Sequence, residues 1–225
     1  MSNKKRIRGA KQTSIIHKKI IQRKAPKQTR SIERFQKILE IAFQTIEEIG
    51  YEYTTTDLIA ERCEISVGSL YQFFPNKESI IYTKAETLYL ELHEVFFRKI
   101  KRLTQKYQGY SESLMKEILK AFEDTLSEIK DYSILHSILY THPSLLALDQ
   151  KSNERFAKSL AKELLMPLYP QLAKSKAMAI AHITVESVDA VYRSLLRDGE
   201  QSRRRKSKIM GELAVFLNAY FKTLS

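Results

Sequence analysis

Turn-forming residues are scarce in this chain: 225 residues hold six glycines and five prolines. So little punctuation leaves little room for an all-β fold and favours long helices. The single cysteine, Cys63, cannot form an internal disulfide, which suits a reducing cytoplasm. No apolar run approaches the roughly 18 residues that a membrane span requires. The N-terminus lacks the sequence of basic segment, apolar stretch and small-residue cleavage site that marks secretion. Five histidines, one cysteine and 26 acids form no recognisable nucleophile, acid–base pair or zinc spacing, so neither an enzyme, a metal site nor a cofactor is expected. His136 and His142, for instance, are too far apart to be neighbours on one helical face. Acids are also missing from the first 29 residues.

That last absence explains most of the net charge of +12. Residues 1–29 carry ten Lys/Arg, whereas the remaining 28 cations nearly balance the 26 acids. The excess is therefore a basic arm rather than a property of the globule. Such an arm is expected to stay disordered and to meet phosphates by charge alone. With 43% hydrophobic residues, the rest of the chain suffices for one substantial core and a small satellite domain.

Apolar periodicity divides that remainder into helices. Ile32, Phe35, Ile38, Leu39, Ala42, Ile46 and Ile49 recur at three- and four-residue spacings and predict a helix over about 31–49, capped by Gly50. Two short helices follow: one over 57–62 opened by threonine hydroxyls, one after Ser66 that stops near Phe74 because of Pro75. Asn76 caps a long helix over about 77–107. Amphipathic helices are then expected over about 111–130, 132–141, 144–169, 174–197 and 204–223, with Gly109, Pro143, Pro167, Pro170 and Gly199 at or near the joints. The predicted fold class is all-α. A helix-turn-helix domain of three helices (30–76) follows the arm (1–29), and a helical ligand-binding and dimerisation domain (77–225) follows that.

Function concentrates in the stretch from Asp57 to Phe74. Ile59, Cys63, Ile65, Leu70 and Phe73 fall where two short helices share a core, and Ala60 is small where they cross. In such a motif the second helix enters the major groove with its N-terminal residues at base edges. The residue types suit that work. Ser66 can cap the helix, Gly68 lets a backbone approach closely, and the helix N-terminus attracts phosphate. Ser69 can contact a base or phosphate, Tyr71 offers a hydroxyl to a phosphate oxygen, and Gln72 has an amide able to pair twice with adenine. Lys77 adds a cation beyond the recognition helix.

Gly50-Tyr51, Thr54-Thr55, Ile59-Ala60, Ser66-Val-Gly-Ser-Leu-Tyr71, Phe74 and Lys77 together resemble the N-terminal signature of the TetR family of transcriptional regulators, at motif strength over about residues 30–95. The resemblance implies that Thr55, Tyr71 and Lys77 bind phosphates. It implies that Thr56, Val67, Gly68, Ser69 and Gln72 face bases or the sugar–phosphate edge, and that Arg30 lies close to the DNA backbone. Two departures stand out. Glu64 replaces the usual turn glycine, which would put a non-glycine residue in a left-handed conformation, and Tyr53 fills a normally small slot.

The resemblance also implies a ligand cavity and a homodimer through the last two long helices. The stripes Ile180, Ile183, Val188, Val191, Leu195 and Ile209, Leu213, Phe216, Leu217, Tyr220 suit a four-helix interface. Tyr89, His93, Phe97, Phe122, His136 and Tyr140, with Phe96, Tyr132, His142 and His182 nearby, offer the mixed apolar and hydrogen-bonding lining of an organic-ligand site. The expected function is a cytoplasmic, ligand-responsive repressor. It would bind a palindromic double-stranded DNA operator and be released by a small organic effector. The alternative is an architectural or nucleoid-associated DNA-binding protein without an effector.

Overall fold

The computed structural model describes residues 29–107, 109–129, 131–196 and 203–224. The basic arm before Thr29 and the expected joint at Gly199 lie outside the described residues. Among those described every regular element is helical, as composition and periodicity predict.

Helix α1 (Thr29–Ile49) buries Ile38, Leu39, Ala42, Phe43 and Ile46 and leaves Ile32 and Ile49 exposed at its two ends. Gly50 stops it at φ +84°, a left-handed geometry that glycine adopts without a Cβ clash. Helices α2 (Thr56–Arg62) and α3 (Val67–Tyr71) follow. Helix α4 (Lys77–Lys106) starts at Asn76, whose side-chain oxygen accepts the Ser79 N–H at 2.9 Å. The later helices are α5 (Glu112–Glu128), α6 (Tyr132–Ile138), α7 (Pro143–Leu160), α8 (Lys174–Leu196) and α9 (Arg203–Lys222).

Two segments depart from the single helices that their patterns predict, each beside a proline. After α6 the chain tightens into a 3-10 turn over Leu139–Thr141, and His142 is extended at φ −143° and ψ 131°. Pro143 excludes helical geometry from the residue before it, yet sits well at the first position of α7, where no N–H is required. Past Leu160, α7 widens into a π turn over Ala161–Leu165 before a last α turn, Met166–Leu168. Pro167 has no N–H for the carbonyl four residues back, and its ring crowds that carbonyl. The preceding turn accommodates this by bonding Met166 N–H to the Ala161 carbonyl.

The chain separates into two compact units. The first comprises the described residues up to Leu88 plus Ile138–Leu148; the second comprises the described residues of Tyr89–Ser137 and from Asp149 onward. In the first, Ile38, Leu39, Ala42, Ile59, Ala60, Cys63, Leu70, Phe73, Phe74 and Ile80 form one apolar cluster. Phe35 stacks on Phe74 at a centroid distance of 5.0 Å. In the second, Phe96, Phe97, Phe156, Leu160, Leu164, Tyr169 and Phe221 are among the buried side chains. Among the described residues no helix is long and apolar enough to cross a membrane.

Candidate nucleic-acid interface and ligand cavity

The two short helices of the first unit are held at their starts by hydroxyls. Thr55 accepts the Leu58 N–H at 3.2 Å, and Ser66 accepts the Ser69 N–H at 3.2 Å. Both caps have extended backbones, as an N-cap requires. Between the helices the chain reverses at Glu64, whose φ is +60°. The left-handed residue foreseen from the missing glycine is therefore present. Ile65 N–H then closes the turn on the Ala60 carbonyl at 3.0 Å. Cys63 is buried in the turn, and burial pushes its thiol pKa up, away from the reactive thiolate.

Around this frame the residues expected to meet DNA fall into two groups. Arg30, Thr55, Ser66, Gly68, Tyr71 and Gln72 are exposed. Thr56, Val67, Ser69 and Lys77 are half-buried and make contacts of their own. The Thr56 and Tyr71 hydroxyls lie 3.2 Å apart, joining α2 to the end of α3. The Ser66 and Ser69 hydroxyls are 2.8 Å apart. Val67 packs against the apolar cluster. Lys77 donates to the Tyr51 carbonyl at 2.8 Å and lies 4.0 Å over the Tyr51 ring, so one of its three protons is committed to the fold. Gly68 differs from these: a Cβ built on it meets nothing within 4 Å. Tyr53, in its normally small slot, is exposed.

The second unit encloses a cavity of about 90 Å³. Tyr89, Phe96, Met115, Ile118, Phe122, Tyr132 and Phe156 line it from α4 to α7, and Thr184, Val188, Asp189, Leu217 and Phe221 from α8 and α9. Of the six residues expected to bind ligand, Tyr89 and Phe122 are in this wall. His93 is instead bonded to Ser159 Oγ at 2.8 Å, and Phe97 packs on His93 and Phe156. His136 is buried against Tyr132 with neither ring nitrogen hydrogen-bonded. Tyr140 is exposed and belongs to the other unit. Sequence reading assigned the apolar stripes of the last two helices, Val188 and Leu217 among them, to dimerisation, set only His182 of α8 beside the ligand residues, and did not single out Thr184 and Asp189.

The wall continues, through Tyr89, Asn153 and Asp189, into a buried polar network. Asp149 accepts from the Tyr89 hydroxyl at 2.7 Å and from Arg193 at 3.1 Å. Arg193 also reaches Asp189 at 2.8 Å, and Asn153 donates to Asp189 at 2.9 Å. Burial, then the neighbouring Asp189, pushes the Asp149 carboxyl up to about 6. Burial raises Asp189 as well. Burial, then the Arg193 charge, drives the His136 imidazole down to about 4, so it is neutral near pH 7.

These features define an all-helical protein with a capped helix-turn-helix in one unit and an apolar cavity in the other. Residues 38–81 match the sequence model of the bacterial regulatory proteins of the tetR family. The uncharacterized HTH-type transcriptional regulator YhgD of Bacillus subtilis is 38% identical over 64 residues, which are 28% of this chain and 34% of that protein. The chain thus aligns with about a third of that relative's length. Among solved structures, a TetR-family regulator from Mesorhizobium loti shares the fold at a TM-score of 0.69 and 16% identity, covering 87% of this chain and 98% of that one. The fatty acid degradation regulator FadR from Bacillus halodurans does so at 0.60 and 15%, covering 86% and 97%. The chain thus carries that family's sequence pattern over residues 38–81 and shares the all-helical fold of these solved structures.

Proposed function

We propose that this chain is a ligand-responsive transcriptional regulator. It binds a palindromic operator in double-stranded DNA as a homodimer and is released by a small organic effector held in the cavity. Gly68 carries the reading. It sits in the first turn of a helix, where alanine is preferred by about 1 kcal/mol, and among the described residues nothing beyond its own helical turn lies within 4 Å of where a Cβ would stand. Nothing within the fold calls for a glycine there. A DNA backbone approaching the Ser66-capped turn does, and Ser69, Tyr71 and Gln72 stand around it to contact phosphates and base edges.

Support for the homodimer comes from α8 and α9. Ile183 and Val215 are each 64% exposed and Phe216 is 65% exposed, with Tyr220 beside them in the sequence pattern. Gly211, one turn before Val215, also has open space at its Cβ position, which lets a second helix approach. The same face on a second copy would cover these side chains in an isologous four-helix contact. It would present two α3 helices to successive major-groove faces about 34 Å apart. Tyr89 and Phe122 in the cavity wall suit an organic effector. An effector that binds one arrangement of the two units more tightly than another shifts the population between them.

Selection from random duplexes followed by footprinting at physiological salt tests this. One inverted-repeat site, bound with unchanged or higher Tm but lower affinity in Gly68→Ala, is the expected result. Diffuse coverage of all sequences would overturn it in favour of an architectural protein. Unaltered affinity in Gly68→Ala would remove α3 from the interface.

A further inference from the structure

Among the described residues the cavity wall contains a single charged side chain. No Lys, Arg or His is among its lining residues, and its one carboxylate, Asp189, is 9% exposed. The bonds from Arg193 and Asn153 both fall on Asp189 Oδ2, leaving Oδ1 uncommitted among the described residues. Arg193 is simultaneously shared with Asp149. One guanidinium therefore serves two buried carboxylates, and Glu186 adds a third acid 3.5 Å from the Asn153 amide. His136, which feels the Arg193 charge, is held neutral by burial and by Arg193. The surplus charge faces a wall otherwise made of aromatic and aliphatic side chains, with Phe96, Phe122 and Tyr132 among them.

We propose that the cavity selects a cationic amphiphile, an organic molecule with an apolar, ring-sized body and a protonated or quaternary nitrogen placed beside Asp189. This rests on the reading of the cavity as the effector site. An ammonium there offsets charge that the described residues of the wall leave without a cation of their own, and the aromatic faces attract it further. A carboxylate ligand meets the reverse situation: it would bring another negative charge to a buried wall with no cation of its own. A neutral ligand of the same shape gains only from apolar burial.

The test is calorimetric titration of the full-length protein with three compounds of one shape: 4-phenylbutylamine, 4-phenylbutan-1-ol and 4-phenylbutanoate. The amine is expected to bind at least about tenfold more tightly than the alcohol, with the carboxylate weaker still. Asp189→Asn should bring the amine down to the level of the alcohol, and Val188→Trp, which fills the cavity, should weaken all three. The wild-type ranking decides the matter even if Asp189→Asn does not fold. Equal binding by amine and alcohol, or preference for the carboxylate, overturns the cationic selection while leaving the cavity as an effector site. Binding by none of the three overturns both.

Discussion

Glu64 stands where the turn needs a left-handed residue, and its φ of +60° is the consequence. For an L-residue with a Cβ that conformation costs about 1–2 kcal/mol. Glycine removes the clash, though it loses more freedom on folding, by roughly 0.5–1 kcal/mol. The Lys37 contact at 3.9 Å joins two exposed groups and contributes little. Glu64→Gly is therefore expected to raise Tm by a few degrees in thermal unfolding, a gain of up to about 1 kcal/mol. It should also tighten DNA binding, since it takes a negative charge away from the turn. A lower Tm would mean that the carboxylate does more for the turn than its one visible partner suggests.

A second residue-scale effect concerns two buried groups with opposite titration behaviour. Asp149, with its carboxyl raised to about 6, favours the folded state below its ordinary value near 3.8. That advantage fades as pH rises through 6. His136, lowered to about 4, favours folding above 6.5, and its advantage fades as pH falls toward 4. Each effect is on the order of a few kcal/mol, so between pH 4 and 6 the two oppose one another. Urea unfolding across that range should show His136→Phe losing stability as pH rises and Asp149→Asn gaining it. Parallel slopes in the two variants would dismiss the opposition.

Among the elements, α8 and α9 each present two apolar faces. Val188 and Asp189 on α8 and Leu217 and Phe221 on α9 line the cavity, whereas Ile183, Val215 and Phe216 are exposed. Phe216→Glu should therefore leave thermal stability of the subunit within about 0.5 kcal/mol. It should yield monomers in light scattering and weaken operator binding. A dimer that persists would move the proposed interface elsewhere. The same helices mark how far the sequence was legible. The helix-turn-helix was readable because its caps, its turn and its core spacing lie within one short segment, so Thr55, Ser66 and Glu64 act where the pattern places them. The cavity was not, because its wall is gathered from helices spread over Tyr89–Phe221. A helical stripe shows which residues are apolar but not which neighbour they face. Thus Val188 and Leu217, in one stripe with Ile183 and Phe216, turn to the opposite side. Asp189, one of two acids on α8, carried no signal until Arg193 and Asn153 were seen around it.

For the molecule as a whole, charge is divided as unevenly as apolar surface. Ten cations without an acid lie in residues 1–29, while the rest of the chain is nearly neutral. Removal of residues 2–25 is expected to weaken binding to every duplex about equally and to flatten the dependence of log affinity on log salt. The slope should fall by close to one for each phosphate that the arm no longer neutralises. Filter binding at several salt concentrations measures it, and an unchanged slope would separate the arm from DNA. Sequence preference, which the proposed reading assigns to α3, should survive the deletion.

The double-faced character of α8 and α9 has an evolutionary corollary. A substitution on either helix that reshapes the cavity also shifts the backbone carrying Ile183 and Phe216. On the proposed reading, what the protein senses and which copies it pairs with would then be inherited together. After a gene duplication, a paralogue that drifts toward a new effector would lose the ability to mix with its parent as a by-product. The two could separate into independent circuits without any further change to the pairing surface.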